Sequence, residues 1–262
     1  DMTFLEGNLT TGHRTSIRSG LPTPTWRKLY GGVQPTKSRA VQVTDNTGMM
    51  EDYSEVDKAL VEMAGNPAAF RLQEDRPHIE GMNQEFASTL FYGDESTAPE
   101  EFTGLSARYN SLSAENGDNI IAGGGSGSDN ASIWLICWGP NTCHGIIPKG
   151  SKAGVQQRDL GEVTLENADG ANGRMQAFRT HYRWDVGLSV RDWRYAVRIA
   201  NIDRSALTFN AASGADLNDL MHQAWTEIPN TSMGRSAWYM DKSILSMLRR
   251  QTSSAVSSST LT

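Results

Sequence analysis

The chain has 262 residues, 38% hydrophobic and 21% charged, with 24 Lys+Arg against 30 Asp+Glu for a formal net charge of −6. That is the composition of a folded protein with room for one large domain or two modest ones, and its acidic balance argues against tight, indiscriminate binding to DNA or RNA. The longest apolar run, Ile133 to Trp138, falls far short of the roughly 20 residues of a membrane span, and two cysteines, Cys137 and Cys143, give no disulfide framework, which points to a reducing cytoplasm.

Asp1-Met2-Thr3 begins nothing like a signal peptide. Pro22, Pro24 and Pro35, the Gly31-Gly32 pair and few large apolar side chains favour extended segments and turns over residues 1–50. Arg39 to Val43 alternates like a strand. The segment from Arg14 to Thr44 reads as a long hairpin or arm turning near Gly31-Gly32, too poor in apolar surface to make its own core.

Helical signals start at Ser54, with Val56, Leu60, Val61 and Met63, and Gly65 stands where a helix would end. Asn66-Pro67 is a good helix start, and Pro67 to Tyr92 predicts the longest helix, closed by Gly93 and kinked or broken at Pro77. Ile79, Met82, Phe86 and Leu90 make one buried stripe on it. Asp94 to Asp129 is loop-like. Ser132 to Trp138 suits a buried strand. Phe178, Tyr182, Trp184 and Val186 alternate with Arg179 and Arg183, and Tyr195, Val197 and Ile199 with Arg194 and Arg198, as two strands with a wet basic face. Leu217, Leu220, Met221, Ala224 and Ile228 predict a helix, and Ile244, Leu245 and Leu248 another, before a Ser/Thr-rich stretch from Gln251 with no expected strand or helix. Both ends read as cuts in a longer chain. Helices and strands mix without regular alternation, which gives the class α+β.

The charges are sorted by position. Residues 1–44 carry Arg14, Arg18, Arg27, Lys28, Lys37 and Arg39 against two acids, residues 45–101 carry fourteen acids against three bases, and residues 174–204 carry seven arginines against three aspartates. Exposed ion pairs are worth only about 0–1 kcal/mol each, so segregation gains a monomer little; between copies of one chain it sets partner and register.

Chemical motifs are near misses. In Gly145 to Lys152 the lysine precedes the glycine that a phosphate-binding loop places before it. Gly123 to Ser128 fails both the dinucleotide and the nucleophile-turn spacing. Cys137, Cys143 and His144 make a poor tetrahedral set, and Asp94, Glu95, Glu100 and Glu101 lack calcium-loop spacing. A small hydrolase or transferase using Gly123–Ser128 with His144 or His181 is the remote rival. The segment Arg179 to Arg198, interleaved with Tyr182, Trp184, Trp193 and Tyr195, has three readings: a nucleic-acid clamp, a basic face meeting acidic segments of another subunit, or a solvated face. No catalytic residue, cofactor or metal is expected.

Two strings, Asn83 to Gly93 (NQEFASTLFYG) and Thr180 to Arg194 (THYRWDVGLSVRDWR), closely resemble major capsid proteins of tailed double-stranded DNA bacteriophages, in a group known from short-tailed phages that include one infecting Bordetella. The resemblance runs from Met2 to about Gln251, and proteins of the group continue beyond both ends of this chain. It implies the Hong Kong 97-like capsid fold, with an N-terminal arm and extended β-hairpin loop (1–50), a peripheral domain with a long spine helix (51–131), and an axial domain plus strands returning to the peripheral domain (132–262). It implies a structural protein of the virion that self-assembles as hexamers and pentamers into an icosahedral shell around packaged double-stranded DNA, built in the host bacterial cytoplasm, with portal, scaffolding and cement or decoration proteins as partners and no membrane. The alternative is a non-viral, encapsulin-like nanocompartment shell. No lysine–asparagine cross-linking motif is matched. The arm's basic residues are expected to lie on Glu51, Asp52, Glu55, Asp57, Glu74, Asp75 and Glu80 of an adjacent subunit.

Overall fold

In a computed structural model of the protein the described residues are 2–20, 22–166, 168 and 170–259. After β1 (Phe4–Glu6), β2 (Gly12–Gly20) pairs antiparallel with the first half of β3 (Arg39–Asp57), His13 opposite Asp45 and Ile17 opposite Val41. This is the expected arm. Its turn lies close to Gly31, whose N–H donates to the Lys28 carbonyl at 3.0 Å while Tyr30 takes a left-handed φ of 61°.

β3 then changes partner: from Thr47 to Asp57 it pairs with β8, and it runs through residue 50 without a break. Ser54 to Asp57 are therefore strand, not the start of a helix, because Ser54 and Val56 are buried on the alternating inner face. The helix α1 is only Lys58–Met63, capped by the Asp57 carboxylate accepting from the Ala59 N–H at 2.9 Å. α2 (Pro67–Tyr92) begins at the Asn66 cap and is one helix through Pro77, so the expected break does not occur. Proline cannot donate to the carbonyl four residues back, but packing of the half after Pro77 offsets that loss: Met82 and Leu90 are buried, Ile79 and Phe86 half-buried, and the Phe86 ring lies 4.6 Å from that of Trp184. Gly93 ends α2 for steric reasons. A β-carbon there would sit 2.6 Å from the Thr89 carbonyl oxygen and 2.7 Å from that of Phe102.

There follow α3 (Leu105–Arg108), β4 (Ile120–Ala122), β5 (Asn130–Trp138), β6 (Cys143–Ile147), β7 (Gln156–Glu166), β8 (Arg174–Val190), β9 (Ala196–Asp203), α4 (Leu217–Glu227), β10 (Arg235–Tyr239) and α5 (Lys242–Ser259). The strands join in the order β2-β3-β8-β6-β5-β9-β4, with β1 on β6, β10 on β5 and β7 on β8. β8 is the spine of the sheet: Ala177 to Arg183 lies between β3 and β7, while Gly187 to Val190 pairs with β6.

The apolar run of β5 is buried on both faces. Trp134, Ile136 and Trp138 pack toward Leu90, Leu105 and Tyr109, while Ile133, Leu135 and Cys137 pack toward α4 and α5 through Leu217, Ala224 and Ile244. α5 extends to Ser259, well past the expected end at Arg249-Arg250. Gln251 explains the extension: it is buried, its side-chain carbonyl accepts from the Leu217 N–H at 3.0 Å, and its amide donates to the Thr208 and Ala215 carbonyls. Helices and a large mixed sheet give the α+β class expected.

Candidate assembly interface

The β3–β8 register decides where most of the sorted charges go. It sets Glu51 opposite Arg183 and Glu55 opposite Arg179. Arg179 Nε donates to Glu55 Oε1 at 2.7 Å, and Glu51 lies 3.3 Å from His181 Nε2 and 3.7 Å from Arg183 Nε. Asp52 reaches the His78 ring on α2 at 2.6 Å, and the Tyr53 ring stacks on His181 at 4.6 Å. The acidic stretch and the second basic segment are thus cross-strand partners inside one subunit. Each partly exposed pair contributes about 0–1 kcal/mol, but opposite charges directly across a ladder also penalise a slipped register.

On α2, Asp75 is buried beside the Tyr182 hydroxyl; burial first, and that carboxylate second, push the Tyr182 phenol up to about 12. Arg71 bridges to Asp159 at 2.9 Å and Thr180 at 3.3 Å, lies over the Phe178 ring, and holds Asp159 below the usual carboxylate range. Glu74 and Glu80 stay exposed, Glu80 accepting from Gln84 at 3.0 Å.

Among the described residues the arm's basic side chains have no carboxylate partner. Arg14 Nε donates to Thr44, and Arg27, Lys28, Lys37 and Arg39 are exposed with no carboxylate partner among the described residues. The Arg18 backbone pairs with Ala40; its side chain lies outside the described residues. Between these bases, Trp26, Leu29 and Tyr30 are 103%, 88% and 106% exposed. Three bare large side chains at the end of a hairpin with no core under it need a surface supplied by another molecule. Charge patterning alone does not single out this aromatic tip, because three apolar residues among bases carry no periodic signal.

At the root of the arm the environment reverses. Asp45 is 3% exposed and accepts from Arg108 Nη1 and Ser189 Oγ, each at 2.7 Å. Next to it His144 is buried with its ring 5.9 Å from that of His13, and burial, with the charges of His13 and Arg191, lowers its pKa to about 4.

The near-miss motifs take structural roles. The Gly150 N–H is occupied by the Glu6 carboxylate at 2.8 Å. Gly123 and Gly125 donate to the Ala200 and Asn201 carbonyls at 2.7 Å, which fastens that loop along β9. Cys137 and Cys143 are buried, and burial pushes the Cys143 thiol well up. Among the described residues no group of three or more His, Cys, Asp or Glu is placed to hold a metal, and no helix is long and apolar enough to cross a membrane. Arg198 does not sit on a wet face as expected: β9 turns it inward, over the ring of Trp134 at 5.1 Å.

Comparison with curated proteins finds no match. Among solved structures, a chain of bacteriophage Epsilon15 is 36% identical with a TM-score of 0.74, covering 96% of this chain and 76% of that one. The capsid of a native GTA particle (8% identity, TM-score 0.52, 76% of this chain and 87% of that one) and a chain of Microbacterium phage Oxtober96 (12%, 0.51, 76% and 88%) share the fold. The arm, the single long helix and the branched sheet are those of the Hong Kong 97-like phage capsid fold. The family model described as major capsid protein GP7 matches residues 1–262. An arm whose basic tip has no carboxylate partner among the described residues suits a shell built from repeated copies, and the chain belongs to the major capsid protein GP7 family, structural proteins of the phage capsid.

Proposed function

We propose that copies of this chain enclose double-stranded phage DNA in an icosahedral shell, with the basic aromatic arm of each subunit lying across the spine helix of a neighbour. In this reading residues 1–50 act as the arm and extended loop, 51–131 as the peripheral domain and 132–262 as the axial domain with its returning strands. No catalysis is involved. Assembly takes place in the host cytoplasm with portal, scaffolding and cement proteins, and the net charge of −6 suits a wall that holds DNA without gripping it.

The observation that carries the arm contact is the unpaired tip: Arg27 and Lys28 without carboxylates, beside the bare Trp26, Leu29 and Tyr30. On the receiving side Glu74 and Glu80 on α2 are exposed carboxylates with no cationic partner among the described residues. Glu51, Asp52, Glu55 and Asp57 contribute through what their intrasubunit contacts leave exposed, and Asp75 is buried beside Tyr182.

The test reverses charge on each side. Arg27→Glu with Lys28→Glu, and Glu74→Lys with Glu80→Lys, should each block shell formation in electron micrographs while leaving a folded subunit by circular dichroism. Normal shells from both double variants would sink the arm contact. Nuclease-protected DNA in particles from infected cells separates a genome container from a protein-filled compartment.

A further inference from the structure

Seven arginines lie between residues 174 and 204. Five face a carboxylate: Arg174 and Glu166 (3.1 Å), Arg179 and Glu55, Arg183 and Asp185 (2.9 Å), Arg194 and Asp192 (2.7 Å), and Arg204 and Asp241 (3.2 Å). Arg191 is exposed and donates to Asn141 at 3.1 Å. Arg198 is different. It is partly buried, yet no carboxylate lies within ion-pair distance among the described residues. Nη1 donates to the Tyr109 carbonyl at 2.7 Å and Nε to Ser132 Oγ at 3.3 Å, which leaves Nη2 without an acceptor among the described residues. Burial lowers its pKa, whereas Arg183 and Arg194, bonded to their aspartates, are raised. A guanidinium stays protonated in proteins, so the subunit alone carries a partly desolvated cation whose charge no carboxylate offsets among the described residues.

That cation opens on a groove of about 510 Å³ between β4, β9 and the 109–113 segment. Its walls are apolar at Tyr109, Ile120 and Leu112, the last 60% exposed at the rim, and polar at Asn110 and Ser111. We propose that Arg198 receives a carboxylate side chain from a second copy of this chain, the rim leucine packing against the entering segment. The contact rests on assembly from many copies and is independent of where the arm lies. A second copy is the matching occupant because it brings acid in excess: Glu85 on the outer face of α2, for instance, has no cationic partner among the described residues. A nucleic-acid backbone fits less well, since no other Lys or Arg lines the groove, and a strand of phosphates needs several cations.

A photo-crosslinking benzoylphenylalanine in place of Leu112, with Arg198 intact, tests the site in assembled shells. The expected product joins position 112 to an Asp- or Glu-containing peptide of a second copy, and is absent from unassembled subunits. Assembled shells giving no intersubunit product, or a product with nucleic acid, overturn the proposal. In parallel, Arg198→Gln should leave circular dichroism unchanged and raise the subunit concentration needed for shells at least about tenfold, as loss of one partner of a buried charge pair weakens a contact. A folded Arg198→Gln subunit assembling at the parent concentration overturns it as well. Because the arm reversals leave this groove intact, either contact can fail while the other stands.

Discussion

Glu55 and Arg179 face each other across the β3–β8 ladder, the carboxylate accepting from Nε at 2.7 Å, and with Glu51 opposite Arg183 they close most of the acidic strand's charge inside one subunit. The long-range sorting of charge along the chain is therefore partly a device for pairing two distant strands in the correct register. What remains for neighbours is the arm's surplus of bases and the outer face of α2.

A double-mutant cycle on that pair should show a small, positive coupling. Glu55→Gln and Arg179→Gln are each expected to lower the unfolding free energy of the subunit by about 0.5–1 kcal/mol, with the double variant losing less than the sum. Urea titrations followed by tryptophan fluorescence measure it; strict additivity would mean that the pair does not hold the register.

Asp45→Ala should be far more damaging. It leaves the Arg108 guanidinium on the Thr103 and Leu188 carbonyls without its carboxylate, and strips Ser189 of its acceptor at the point where the arm joins the body. Breaking a buried pair by removing one partner costs about 3–5 kcal/mol. Hydrogen exchange should show the loss concentrated at residues 12–14 and 44–47, with the α4–α5 side much less affected.

Acid should loosen the same root through His144, held near 4 by burial and by the charges of His13 and Arg191. An unfolded histidine titrates at about 6.5. Between those values the unfolded chain binds a proton that the native chain refuses, so stability falls as pH drops from about 6.5 toward 4 and this contribution levels off below. The slope is at most about 1.4 kcal/mol per pH unit. In His144→Gln the decline between pH 6.5 and 5 should be shallower than in the parent, read from denaturation midpoints; an unchanged slope would assign the pH dependence to other groups.

Two glycines at α2 should respond with opposite signs. Gly81 is exposed in mid-helix, and a β-carbon added there would meet nothing within 4 Å, so Gly81→Ala should stabilise the isolated subunit by about 0.5–1 kcal/mol. Gly93→Ala would drive its methyl into the Thr89 and Phe102 carbonyls and should cost about 1–3 kcal/mol. Thermal melts of the two variants, run side by side, decide the point.

Local signals in the chain are legible where one element carries its own instructions. The Asn66 cap and the stripe Ile79, Met82, Phe86 and Leu90 announce α2, and six consecutive apolar residues announce β5 as a strand buried on both sides. Ser54 to Asp57 misleads because its spacing fits a helix as well as a strand, and only pairing with β8 selects between them. Gln251 misleads in the same way: a polar residue in a Ser/Thr-rich stretch looks like a tail until three backbone groups from elsewhere in the chain bind it.

By itself the sequence determined the α+β class, a core-less basic arm, one dominant helix and the sorting of charge, since each depends on residues close together in the chain. Only the tertiary structure decided which charges are spent and which are free. Cross-strand register brings Glu55 to Arg179 over more than a hundred residues, and packing of α2 on the sheet buries Asp75 beside Tyr182. It leaves Arg198 without a carboxylate among the described residues, and the tip at Trp26, Leu29 and Tyr30 bare. A charge or an aromatic ring has no assigned role until the fold sets its distance to everything else, because Coulomb and packing energies depend on separation and burial, not on order along the chain.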